Sequence, residues 1–418
     1  MDKRKTTNNL DWGIILLYSV FVSIGLLVVY ASSHDDAKPF FDYRQLYVRQ
    51  LIWIGTAIIL ASFILVTDNK FYTSFAYIIY AAVILLLIGV FFFGHEVKGN
   101  KNWFEIGSFQ LQPSEFAKFS VALALAKFLS NQNINLKSNK IKMMALAIIF
   151  FPALLILLQG DTGSTLVFLA FFLVLYRFGL PGEILMLGVG ILALSIFSLV
   201  ADKYLLIGIL FFLSGASLYF IKRTRAAYFI IAGLFIGASM YVTTTNYVFN
   251  NILKPHQQQR IQVLLGQEVN VKDADYNVRQ SKIAIGSGGL LGKGPLHGTL
   301  TKYNFVPEQH TDFIFCTIGE EYGFWGTTLF VVLFLFFLIR ILSLAERQRS
   351  KFSRIYAYGV ASILFFHFLI NIGMTIGLAP VIGIPLPFIS YGGSSLWAFT
   401  ILLFVLIKLD ADRLAVLR

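Results

Sequence analysis

The sequence is short of charge and almost without cysteine. Asp, Glu, Lys and Arg together make up only 13% of the 418 residues, too few to clothe a water-soluble globule of this size. A soluble domain is excluded and lipid must be the solvent. The single cysteine, Cys316, excludes an intramolecular disulfide framework, and its place beside an apolar run reads as a small packed thiol with no chemistry. His256, His297 and His310 are dispersed, with no His, Cys and carboxylate spacing that resembles a zinc site. No transition metal and no required cofactor are expected, and the use of a divalent cation is left open. The glycine runs Gly286-Ser287-Gly288-Gly289 and Gly292-Lys293-Gly294 lack the Gly-x-x-x-x-Gly-Lys-Ser/Thr spacing of a nucleotide-binding loop and mark tight turns instead. Tandem repeats and low-complexity tails are also missing.

What is abundant is apolar. Hydrophobic residues make up 57% of the chain, and runs of membrane-spanning length recur along almost all of it. They predict an all-α polytopic membrane protein with about twelve transmembrane helices, near 12–31, 51–67, 71–93, 114–130, 143–158, 164–180, 184–201, 204–221, 227–247, 313–342, 354–376 and 390–408. The basic residues after Met1 precede a full-length apolar run, so an uncleaved first helix is expected.

The net charge of +12 sits in short clusters between apolar segments, which argues for membrane orientation and against a nucleic-acid partner. With the N-terminus cytoplasmic, Lys70, Lys137, Lys140, Lys142, Arg177, Lys222, Arg223, Arg225, Arg347, Arg349, Lys351, Arg354, Lys408 and Arg413 all fall inside. Both termini are then cytoplasmic, and segments 32–50, 94–112, 248–312 and 377–389 lie outside. The chain reads as one domain over 1–418, with 248–312 as a long extracytoplasmic loop and 184–221 as a helical hairpin turning at Asp202-Lys203.

Chemistry is sought on the outer side. Glu115 and Lys118 share one face of a helix that follows Pro113. A charge at the bilayer centre costs about 2.5 to 3.5 kcal/mol, so the two face a cavity or each other, and Asp161 on the same side is a candidate to complete an acid, lysine, acid cluster. A pair that only fixes helix packing has the same signature. His310-Thr311-Asp312 precedes the apolar run from Phe313. The Asp312 carboxylate is expected where the long segment enters the membrane, either as a base raised by partial desolvation or as a helix N-cap.

Glu320 and Glu321 follow on the same helix and need partners. Arg279, Lys282 and Lys293 are candidate phosphate contacts, or simply solvated loop cations. Trp103 reads as an interfacial anchor or as a flank for a sugar ring. The Pro- and Gly-rich run from Ile384 to Ser395, with Ser390 and Tyr391, interrupts the apolar pattern, and such backbone persists at membrane depth only against protein or a polar cavity.

At these residues the chain resembles the shape, elongation, division and sporulation family of lipid II polymerases. The likeness runs from the first helix to about Leu409 and is strongest at Lys101-Asn102-Trp103, Gln112-Pro113-Ser114-Glu115, Ala284 to Gly294, Phe305 to Glu321 and Pro385 to Ser395. Within the family the rod-shape type is resembled more than the division type. The resemblance implies a peptidoglycan glycosyltransferase at the outer face of the bacterial cytoplasmic membrane. It would join disaccharide units carried on undecaprenyl pyrophosphate, with lipid II and the nascent glycan strand as substrates.

The resemblance also implies Asp312 as the base, with Trp103, Glu115, Lys118 and Asp161 in or around the central cavity and Lys118 steadying the leaving group or holding Glu115 and Asp161. A class B penicillin-binding protein is the implied transpeptidase partner, with elongation-complex proteins beside it. Two departures stand out. The family usually has Gln-Pro-Asp where this chain has Gln159-Gly160-Asp161, and its core has about ten helices, so the hairpin at 184–221 would be an addition. The rival readings are a lipid-linked oligosaccharide transporter, a different membrane glycosyltransferase, and a scaffold with no activity in which Asp312 is dispensable.

Overall fold

The computed structural model describes residues 9–413 apart from 35–38, 40, 98–99, 108, 132–133, 135, 137, 221–223, 252–257, 259–273 and 304. Lys137, Lys222, Arg223, His256 and much of the expected long loop therefore lie outside the described residues.

The first apolar run forms α1 (Trp12–Ser33), started by Asp11, whose carboxylate accepts the Ile14 amide hydrogen. α2 (Leu46–Val66) and α3 (Asn69–Phe93) follow, with Asp68 capping the second of them. The segment between α3 and the next helix was expected only as an outer connection. It forms a small antiparallel sheet of β1 (His95–Val97), β2 (Asn100–Ile106) and β3 (Phe109–Leu111), in that order. β1 and β3, three residues each, are too short for alternation to be read from sequence, and the seven residues of β2, Asn-Lys-Asn-Trp-Phe-Glu-Ile, do not alternate strictly.

α4 (Pro113–Ser130) opens with proline at its first position, where a missing amide hydrogen costs nothing. It is buried on every face, and Ala117, Ala122, Ala124 and Ala126 let α3, α5, α14 and α15 approach it. α5 (Asn139–Leu158) contains Pro152. The next apolar run is broken into α6 (Thr162–Val167), a 3₁₀ turn (Phe168–Ala170) and α7 (Phe171–Arg177).

From residue 274 onward come α11 (Ala274–Ser287), α12 (Thr299–Lys302), α13 (Ile314–Arg347), α14 (Lys351–Thr375) and α15 (Gly393–Ala411). α13 breaks at Gly323, where φ is 63°. A side chain there would collide with the backbone nitrogen of Gly292, so the glycine-rich loop crosses the helix at that point.

The chain divides into two compact units, Met1–Leu180 with Tyr276–Arg418, and Pro181–Asp275. The second unit holds α8 (Gly182–Val200), α9 (Lys203–Phe220) and α10 (Arg225–Asn251). The expected hairpin falls on α8 and α9, but the unit also includes α10, which packs on both more extensively than they pack on each other. Within it the Ser195 hydroxyl meets the Tyr241 hydroxyl at 2.7 Å, and Asn246 Nδ2 donates to the Ser198 carbonyl at 3.0 Å.

Among the described residues, nine helices are long and apolar enough to cross a membrane: α1, α2, α3, α5, α8, α10, α13, α14 and α15. Segments Thr162–Arg177 and Lys203–Tyr219 are apolar but shorter. α4 carries Glu115, Lys118 and Lys127, which lower its mean hydropathy although it is, with α15, among the most enclosed helices of the first unit. The protein is a polytopic, almost wholly helical membrane protein.

Candidate active site

One end of the first unit gathers the C-terminal ends of α1 and α14 with the N-terminal ends of α4, α6, α13 and α15. The irregular segment 377–392 is stitched across it. Ser390 Oγ donates to the Thr311 carbonyl at 2.6 Å and accepts from the Leu386 amide at 2.8 Å. The Tyr391 amide donates to the His310 carbonyl at 2.8 Å. Asn371, fully buried on α14, gives its amide group to the carbonyls of Asp312 (2.8 Å) and Ile384 (2.7 Å). The backbone of His310-Thr311-Asp312 is thus fixed by both flanks of the proline-rich run, as buried polar backbone in lipid requires.

Asp312 is half-buried. It is not the cap of α13: that position is Phe313, which makes no side-chain cap, so the N-cap expectation fails because the helix begins one residue later. Gly383, with φ 73°, lies against the carboxylate, and a Cβ there would sit 3.3 Å from Asp312 Oδ2. On the other flank of 382–383, a side chain on Gly163 would collide with the Ile382 carbonyl. The segment therefore lies between Asp312 and the start of α6.

That start is Asp161. Its Oδ1 caps the Ser164 amide at 2.9 Å, while Oδ2 accepts from Ser164 Oγ (2.8 Å), Gln112 Nε2 (2.9 Å), Asn102 Nδ2 (3.2 Å) and Ser114 Oγ (3.3 Å). All of these donors are neutral. Gly160 before it has φ 89°, which a proline ring locked near −65° cannot reach, so the departure from Gln-Pro-Asp is a different backbone path into the same cap.

Glu115 and Lys118 pair at 2.8 Å and are both almost fully buried. Their third partner is not Asp161. Lys118 Nζ lies 3.0 Å from His367 Nε2 and 5.2 Å from the centre of the Phe399 ring. The ammonium can only donate, so His367 Nε2 accepts and its Nδ1–H donates to the Pro385 carbonyl at 3.0 Å. The acid, lysine, acid cluster is thereby corrected to acid, lysine, histidine, with Asp161 in a separate neutral cradle. Glu115 Oε2 is buried and has no hydrogen-bond partner among the described residues.

His310 touches Ser32 Oγ through Nδ1 at 3.0 Å. Burial holds its pKa below the ordinary histidine value of 6.5, against the opposing charge of Glu308. Glu320 does not face this site. Fully buried, it accepts from the amides of Leu300 and Thr301 (2.9 Å each), the Thr301 hydroxyl (2.8 Å) and Lys293 Nζ (2.6 Å), so it anchors α12 and occupies Lys293. The partner that Glu320 needs is thus this loop clamp, in which Lys293, a candidate phosphate contact, is the cation. Arg279 and Lys282 are exposed on α11 with no ion pair among the described residues, and Lys282 Nζ lies beside Gly377. Trp103 is half-buried on β2, next to Asn102 of the Asp161 cradle.

Sequence reasoning missed His367 and Asn371, yet a signal existed. They stand four apart, on one face of an otherwise apolar helix, the spacing at which two polar groups in lipid point to a shared interior. Asn102 and Gln112 carried no such signal.

The comparisons with known proteins identify the family. The cell cycle protein family FtsW/RodA/SpoVE matches residues 11–206 and 183–414. The chain is 33% identical to the peptidoglycan glycosyltransferase RodA of Treponema pallidum, over 97% of this chain and 99% of that one. It is also 33% identical to the peptidoglycan glycosyltransferase MrdB of Escherichia coli K12, over 93% and 90%. Among solved structures, a chain from a peptidoglycan synthase complex that coordinates polymerization and crosslinking superimposes with a TM-score of 0.72 at 26% identity, covering 97% of this chain and 98% of that chain. The rod shape determining protein RodA of Thermus thermophilus gives a TM-score of 0.63 at 25% identity, covering 97% of each. The chain belongs to the FtsW/RodA/SpoVE family.

Proposed function

We propose that the chain is a peptidoglycan glycosyltransferase of the elongation type, polymerising lipid II at the outer face of the bacterial cytoplasmic membrane with Asp312 as general base. Asp312 accepts the proton of the acceptor sugar's 4-hydroxyl while that oxygen bonds to the anomeric carbon of the donor chain. The bond from that carbon to undecaprenyl pyrophosphate breaks with inversion, and the pyrophosphate carries the electron pair away. What supports this reading is the rigid backbone on both sides of Asp312, tied by Asn371 and Ser390, together with family membership.

Lys118, held between Glu115 and His367, sets the potential of the cavity, and Arg279 and Lys282 are the cations free to meet phosphate. Both termini are cytoplasmic in this reading, by the loop charges already described. The solved relative in a peptidoglycan synthase complex supports a transpeptidase of the class B penicillin-binding type as partner, with elongation-complex proteins around it.

The test is purified protein in liposomes given lipid II, with product length read on a gel. Polymer is expected from the parent chain and none from Asp312→Ala or Asp312→Asn that still melt like the parent. Parental polymer yield in both variants would remove Asp312 from the mechanism.

A further inference from the structure

The other end of the first unit carries a second charged centre that the glycosyl transfer does not use. Asp11 at the start of α1, Arg340 and Arg347 on α13, and Asp410 and Arg413 at the end of α15 form one network. Arg340 Nε and Nη2 reach Asp11 Oδ1 at 3.1 and 2.8 Å, Arg347 Nη2 reaches Asp11 Oδ2 at 2.9 Å, and Arg347 Nε reaches Asp410 Oδ1 at 2.8 Å. Arg413 closes on Asp410 at 3.1 Å. Three guanidinium groups thus face two carboxylates, which leaves the centre one negative charge short.

A recess of about 180 Å³ opens there, lined by Asp11, Phe336, Ile339, Arg340, Ser343, Leu344 and Arg347. Phe336, Arg340, Ser343 and Arg347 recur at helical spacing along one side of α13. Phe336 is 53% and Ile339 61% exposed, so in a membrane this wall meets hydrocarbon, and the recess opens sideways to lipid at the helix end. The arginines are about two-fifths exposed. Neither Nη1 group has a partner among the described residues, although guanidinium donors at this depth need one. Gly13 makes room for the arrangement: a Cβ there would come within 2.6 Å of Arg340 Nη2, so the guanidinium lies flat on the first turn of α1.

We propose that this recess binds the phosphodiester headgroup of an anionic phospholipid. The phosphate takes the unused donors of Arg340 and Arg347 and supplies the missing negative charge, while its acyl chains run along Phe336 and Ile339. A singly charged phosphodiester fits the deficit, and tethered chains fit the exposed apolar wall. The site is independent of the polymerase reading, since it shares no residue with the cavity at the other end.

The experiment uses the full chain in mixed detergent micelles doped with phosphatidylglycerol or phosphatidylcholine, with retained lipid counted by native mass spectrometry. Phosphatidylglycerol should be retained about fivefold better. Ser343→Glu, on an exposed position, places a carboxylate in the recess and should bring retention down to the phosphatidylcholine level. Arg340→Gln should lower it as well, and Arg340→Lys should restore part of it. Equal retention of the two lipids by the parent chain, or parental phosphatidylglycerol retention in Ser343→Glu, would overturn the proposal. So would complete displacement by millimolar inorganic phosphate, which would make this a site for free anions.

Discussion

The two ends of the first unit hold their acids in opposite ways. At one end Asp11 and Asp410 are met by arginines, ion to ion, so that the termini of α1, α13 and α15 are pinned together. At the other end Asp161 is met only by amides and hydroxyls, and the backbone of Asp312 is held by Asn371 while its carboxylate lies beside a glycine. A carboxylate neutralised by a guanidinium is a fastening. One held by neutral donors is positioned without a paired cation. The two ends thus separate structural acids from candidate chemical ones in a way that residue identity alone does not.

The largest break in that comparison is expected at Asp312. Replacement by Asn keeps the shape and removes the base, and turnover of lipid II should fall by at least about a hundredfold with the melting curve unchanged. Next comes the Glu115 and Lys118 pair, which is buried like a fastening but lies near the start of α4, where Ser114 reaches the Asp161 cradle. Lys118→Met alone should cost about 3 to 5 kcal/mol by stranding a buried carboxylate, read as a loss in thermal stability in detergent. Adding Glu115→Leu should return much of that stability without returning polymer. If the double variant polymerises like the parent, the pair is only a fastening.

A smaller effect is expected at Gly160. Gly160→Pro, although proline is the family's usual residue there, should cost about 3 kcal/mol, because φ of 89° is closed to it; an unchanged melting temperature would show that the backbone can take the other path. The smallest effect concerns His310. Folding holds this group toward its neutral form, so its contribution to stability is whole above the ordinary value of 6.5 and is lost as pH falls below it toward the lower folded value. Melting temperature should decline from about pH 7 to about pH 5, and His310→Gln should flatten that decline.

Much of the site was legible. A carboxylate at a helix entry and a carboxylate and lysine three apart in an apolar run stand out because lipid makes each charge expensive. The partners of those charges were harder to read. Asp161 appeared to belong with Lys118 because both are charged and lie on one side, but His367, from an element more than two hundred residues away, takes that place. Glu320 and Lys293 resembled ligand contacts until the amides of Leu300 and Thr301 were seen to surround the carboxylate. The β-strands before α4 were invisible because β1 and β3, at three residues, carry no measurable period and β2 does not alternate strictly.

The sequence by itself determined that this chain lives in lipid, roughly where its helices run, and which charges have to find partners, because hydrophobic length and the cost of burying charge act locally along the chain. Only the tertiary structure decided which partner each charge found, that Asp312 stands one residue before the cap of its helix, and that α10 joins α8 and α9 in a unit of their own. Pairing depends on which helix ends meet in space, and hydrophobic pattern, nearly uniform around helices immersed in lipid, does not encode that choice.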